Sequence, residues 1–208
     1  MKVYDLTLPI FEGMTVYKNK PEKQPRFETV QNNYVSETRI SLDAHTGTHI
    51  DAPLHMIING KTSETIDLTH LVGPCKVIDM TQRTDGVSKK DFDHVNIKEN
   101  DFLLLKTLNS YEETFNPEFI YVKEDAADLL AAKRIRGVGI DALGIERSQP
   151  GHPTHKTLFN AGIIVIEGLN LKDIAAGEYF MVAAPLKLVG IDASPARVLL
   201  IEGVTVTR

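Results

Sequence analysis

The 208-residue chain contains one cysteine and no tryptophan. Cys75 alone cannot close an intramolecular disulfide, which excludes a cross-linked secreted scaffold and makes a reducing cytoplasm the expected compartment. No apolar run approaches the about 18 residues that a membrane span requires. The start, "MKVYDLTLPIFEGM", lacks the charged-then-apolar order of a secretory signal. Basic clusters are missing too: Lys89–Lys90 is typical of the short pairs present, and the formal net charge is −5. That balance argues against a non-specific nucleic-acid binder. Neither an internal repeat nor a low-complexity segment occurs.

What remains is an ordinary globular composition. Apolar residues make up 42% and charged residues 25%, enough for one sizeable core, so residues 1–208 read as a single domain. "KVYDLTLPI" alternates polar and apolar residues up to Pro9, which suits an edge strand. "GMTVYKNKPEKQPRF" reads as a surface loop. "FETVQNNYVSETRISLDAHTG" alternates again, with Val35, Thr38, Ile40 and Leu42 as candidate strand positions. "GPCKVIDM", "DFLLLKTL", "GVGID", "IIVIEGLNL" and "RVLLIEGVTV" read as strands. "KEDAADLLAAKRI" predicts a helix with acids leading and Lys133 and Arg134 in its last turn. "GHPTHKTLFNAG" predicts a loop and then a helix ending at Gly162. Many strands with two or three helices predict a mixed α/β, sheet-dominated domain.

The chemistry concentrates in "DAHTGTHIDAPLH", residues 43–55, which holds three of the seven histidines and two acids. A helix would bring His45 and His49 together, but Thr46, Gly47, Thr48, Ile50 and Pro53 make a poor one. In an extended chain His45, Gly47, His49, Asp51, Pro53 and His55 share one face. A straight strand would separate His45 and His49 by roughly 13 Å, too far to share an ion. The segment is therefore predicted to be extended but bent at Gly47, whose missing side chain would leave room for a metal. So many ionisable groups on one face, without an ion, would cost desolvation and repulsion. His45, His49 and Asp51 nearly complete a first-row metal site. Downstream, "HPTHKTLFNAGIIVIEG" offers His155 and, between apolar Ile166 and Gly168, the carboxylate of Glu167. His152 is the substitute if His155 is not the partner.

"HTGTHIDAPLH" resembles the HxGTHxDxPxH signature of the metal-dependent hydrolases that include bacterial kynurenine formamidase, isatin hydrolase and the cyclases. "HKTLFNAGIIVIEGLNL" is similar to that family's second metal-binding segment, and the likeness extends over most of the chain. The resemblance implies a swivelling β/α/β domain, assembled as a homodimer or homotetramer, with a binuclear site for two divalent ions, zinc first and manganese as the alternative. It implies that His45, His49 and Asp51 hold one ion, that Asp51 bridges to a second held by His155 and Glu167, and that His55 transfers protons. The expected partner is a small amide substrate, N-formylkynurenine or a related formamide, attacked by metal-activated hydroxide. Lactam hydrolysis of the isatin kind and a cyclase or lyase reaction are the alternatives. Two stretches depart from the formamidase pattern: "VYKNKP" stands where a Trp-containing "WPGD" is usual, and "GIDALGIER" differs. Both are expected to shape the substrate pocket.

The remaining candidates read as structural. Cys75 suits a buried small hydrophobe. His70 and His94 sit in polar contexts and read as surface residues. Arg147 and Arg197 could bind a substrate carboxylate, though solvated surface charge is the plainer reading.

Overall fold

The computed structural model describes residues 1–204, so the last residues of "RVLLIEGVTV" lie outside the described residues. Among the described residues twelve strands run in chain order: β1 Lys2–Asp5, β2 Arg26–Asn32, β3 Val35–Ser41, β4 His49–Asp51, β5 Val72–Asp79, β6 Gly86–Val87, β7 Phe102–Lys106, β8 Tyr121–Val122, β9 Gly137–Ile140, β10 Ile164–Glu167, β11 Gly177–Pro185 and β12 Ala193–Glu202. Two α-helices join them, α1 Glu124–Ala132 and α2 Pro153–Asn160. Eight strands form one sheet in the order β1-β12-β11-β5-β7-β9-β10-β4. The short β4 pairs antiparallel with both β10 and β12, and this double pairing closes the sheet into a barrel. Its β5-β7-β9-β10 wall is parallel. β1 hangs on the outer part of β12 as the edge strand expected of it. The mixed, sheet-dominated α/β class read from the sequence is the observed one.

Period-two alternation sorts the wall residues between two cores. From β7, Phe102 and Leu104 point into the barrel, joining Ile50, Ile164, Ile166, Met181 and Val198. Leu103 and Leu105 point outward and pack with Val138, Ile140, Val165 and the helices. The pattern has a direct consequence for β4 and β10. Ile50 and Ile166 fill the barrel, so their neighbours His49, Asp51 and Glu167 face outward, towards the helical layer. Glu167 is registered opposite His49, and Val165 opposite Asp51.

α2 covers that outward face. Pro153 starts the helix where a missing N–H is harmless, and Gly162, with φ 72°, ends it. Leu158 is fully buried against the outer core, which contributes about 2 kcal/mol. The same packing presents His155 to the strand ends. α1 stops at Ala132; Lys133 caps it and Arg134 turns left-handed with φ 52°, so both bases lie just past the last turn rather than in it.

One alternating segment resolves differently from its expected reading. Residues 26–41 form a two-stranded hairpin, β2–β3, that turns at Asn33 with φ 54° and leaves Leu42 outside the strand. β3 is exposed along its whole length. Here alternation serves a projecting ribbon, not a half-buried strand. Among the described residues no helix is long and apolar enough to cross a membrane.

Candidate metal centre

The bend expected at residues 45–49 is present, but the local geometry differs from a kinked strand. His45 sits in a turn, Gly47 has φ 63°, and extended structure begins only at His49. After β4, Pro53–His55 form a 3-10 turn that folds His55 back over the strand. The His45 and His49 ring centroids are 4.9 Å apart, and those of His45 and His55 4.2 Å.

Gly47 does not open space for an ion. A Cβ there would meet Ile10 at 3.3 Å and Met14 at 3.6 Å, so its bare side faces the neighbouring wall. What Gly47 supplies is a positive φ and a carbonyl that accepts the Nδ1–H of His49 at 2.9 Å, which turns Nε2 towards the acids.

Six side chains read from the sequence converge. His45 Nδ1 lies 2.9 Å from Asp51 Oδ1, and His49 Nε2 lies 3.4 Å from the same oxygen. His49 Nε2 is 3.3 Å from Glu167 Oε2. His155 Nε2 is 3.3 Å from Glu167 Oε1 and 3.6 Å from Asp51 Oδ2. His49/Asp51/Glu167 and His45/Asp51/His55 each bring their donor atoms within 4.8 Å of one another. Closeness is not matched by hydrogen-bond alignment. His49 Nε2, His155 Nε2 and both oxygens of Asp51 are buried without a hydrogen-bond partner. Such orphans are costly unless something else completes them. Nitrogen and oxygen donors aimed at a shared space fit a divalent first-row cation.

The electrostatics agree. Burial would lower the pKa of His49, but the carboxylates of Asp51 and Glu167 outweigh it and push the ring up to about 10. Burial and the charge of Asp51 oppose ionisation of Glu167, yet His155 and His49 hold it down to about 2. His155 is raised by Asp51, Glu146 and Glu167 despite burial. His55 moves the other way, lowered chiefly by desolvation, so its ring is neutral at pH 7.

Four contributors escape the sequence reading. Asp192 Oδ2 lies 3.0 Å from His45 Nε2 and 3.6 Å from His55 Nδ1. Glu146 Oε2 accepts the Nδ1–H of His155 at 2.7 Å. Ile145 N–H donates to Glu167 Oε1 at 2.6 Å. Asp141, buried, accepts from the backbone and hydroxyl of both Thr107 and Ser110. All three acids sit beside apolar residues, in "GIDA", "GIER" and "GIDAS", the signal that singled out Glu167. "GIDALGIER" thus grips site side chains from behind, while Asp141, Ala142 and Leu143 line a cavity of about 370 Å³ with Phe11, Met14, Phe115 and Phe119.

His152 lies beside the cluster, where Glu146, His152 and His155 also bring donor atoms within 4.8 Å of one another, and the other candidates fall away from it. His152 caps α2 in a left-handed conformation, φ 51°, with Nδ1 3.6 Å from Glu146. His70 and His94 are exposed. Cys75 is buried, and burial pushes its thiol up to about 12, far from a nucleophile's range. Arg147 pairs with Asp85 and Glu118, and Arg197 with Asp5.

Known proteins resemble this chain in sequence and fold. The family described as "Putative cyclase" matches residues 4–147. A kynurenine formamidase from Sphingopyxis alaskensis is 29% identical over 205 residues, covering 97% of this chain and 98% of its own. A solved structure described as a potential metal-dependent hydrolase with cyclase activity is 66% identical, with TM-score 0.92 and 96% of each chain covered. Isatin hydrolase A from Labrenzia aggregata, bound to benzyl benzoate, is 26% identical with TM-score 0.82, covering 96% of this chain and 93% of its own. The chain therefore belongs to the cyclase family.

Proposed function

We propose that this protein is a metal-dependent amidohydrolase acting on a small amide, N-formylkynurenine or a related formamide. The observation that carries the reading is the set of buried, unpartnered donor atoms on His49, Asp51 and His155 beside Glu167. His45, His49 and Asp51 would hold one divalent ion, and Asp51, His155 and Glu167 a second, zinc being the first choice and manganese the alternative. Such ions supply Lewis acidity, lowering the pKa of water towards about 7 and polarising a carbonyl oxygen.

The chain's own residues do the rest. His55, neutral and tilted over His45, takes the proton from the attacking water and returns it to the departing nitrogen. Asp192, beside His55 Nδ1, steadies the ring while it is charged. β4, β10 and α2 fix the ligand side chains before substrate arrives, so little reorganisation is needed. The 29% identical formamidase supports the formamide substrate, and isatin hydrolase A supports lactam opening as the second reading. Residues 1–208 act as one domain in this reading. The exposed Val30, Tyr34 and Ile40 of the hairpin support a homodimer or homotetramer, and the single cysteine supports a cytoplasmic setting.

The test is an assay of metal-reconstituted protein against N-formylkynurenine, isatin and simple formamides, with and without chelator. Turnover of N-formylkynurenine that chelation abolishes and zinc or manganese restores is expected. Turnover of isatin alone would favour the lactam reading. Cyclised product without water uptake would replace hydrolysis by a cyclase reaction.

A further inference from the structure

We propose that Glu146 is a positioning residue that holds His155 in the tautomer and orientation needed for the second ion. The proposal rests on the two-ion reading above. Glu146 is 3% exposed, an unusual place for a carboxylate without a task. Its Oε2 lies 2.7 Å from His155 Nδ1. The amides of Thr154 and His155, in the first turn of α2, lie 3.3 Å from its two oxygens. A neutral imidazole that donates from Nδ1 must present its lone pair at Nε2, and that nitrogen faces Asp51 and Glu167. Carboxylate partners of this kind fix the ring and raise its basicity towards a metal.

The neighbouring residue makes the arrangement specific. Ile145 N–H holds Glu167 Oε1 at 2.6 Å, so two consecutive residues on the loop after β9 steady two of the three side chains assigned to the second ion, Glu167 and His155. His49, by contrast, is oriented by the uncharged carbonyl of Gly47. Losing the Glu146 charge should therefore weaken one ion and spare the other. A purely structural role, capping α2, makes a different forecast, because glutamine also offers an oxygen to the helix amides.

The experiment is a zinc titration against a chromophoric chelator with wild type, Glu146→Gln and His155→Ala. Wild type should bind two equivalents. Glu146→Gln should weaken by about 10- to 100-fold the same equivalent that His155→Ala abolishes, leaving the other equivalent unchanged. Unchanged affinity for both equivalents, or equal weakening of both, overturns the positioning role. A wild type that binds fewer than two ions overturns the two-ion reading, and the role falls with it. Should Glu146→Gln fail to fold, long-range proton–nitrogen spectra of the zinc-loaded wild type decide instead. His155 protonated on Nδ1 is expected; protonation on Nε2 overturns the proposal.

Discussion

Gly168 lies with its Cα against the carbonyl of Gly47, the same carbonyl that accepts the Nδ1–H of His49. Any Cβ on Gly168 would collide with that oxygen, and its φ of 66° already disfavours a side chain. Glu167 precedes it, so one backbone contact ties both halves of the cluster together. Gly168→Ala should cost about 1–3 kcal/mol from strain and displace the oxygen that orients His49. Chemical denaturation and zinc titration check this; wild-type stability with full metal affinity would show that the contact yields freely.

Asp51 sits between three imidazoles, with both oxygens lacking hydrogen-bond partners. Asp51→Asn retains the shape and discards the charge that two ions would share. Activity should fall by about 10³-fold or more, the several kcal/mol that a metal contributes to transition-state stabilisation. Metal analysis after dialysis should find both equivalents reduced, because in the proposed two-ion arrangement Asp51 would serve both.

His55 should separate catalysis from metal binding. His55→Ala is expected to lower kcat by about 10²- to 10⁴-fold with metal content unchanged. Full activity in that variant would remove its proton-transfer role. Substituting Asp192 should give a smaller loss, since it steadies His55 and His45 from a partly exposed position.

Protons and metal compete for the same nitrogens. In the metal-free chain burial lowers the His49 pKa, but Asp51 and Glu167 raise it to about 10, above the ordinary 6.5. The charged ring therefore stabilises the metal-free fold fully below pH 6.5, and that contribution disappears as pH rises through about 10. Bound metal needs the neutral ring, so binding must expel the proton. Zinc affinity should rise between pH 6 and pH 8, with proton release detectable by calorimetry in buffers of different ionisation enthalpy. A pH-independent affinity without proton release would contradict the charged-imidazole cluster.

The converging donor groups were legible in the primary structure for a physical reason. Asp51 and His49 lie two apart around Ile50, and alternation must send them to one face once Ile50 enters the barrel. The barrel strands were legible as well, because β-branched and leucine-rich runs such as "DFLLLKTL" and "IIVIEGLNL" bury on both faces. Local pattern could not reveal that residues 26–41 fold as a projecting hairpin, since alternation does not say what, if anything, covers a face. Nor could it give Gly47 its true task, which depends on Ile10, Met14 and Gly168 arriving from elsewhere. Glu146, Asp192 and Asp141 each stand beside apolar residues, but their partners lie 9, 147 and about 34 positions away. The sequence alone determined which side chains can hold a cation and that His49 and Asp51 share a face. Tertiary structure alone decided their shared orientation, because closing the barrel through β4 and docking α2 over it bring distant donors together.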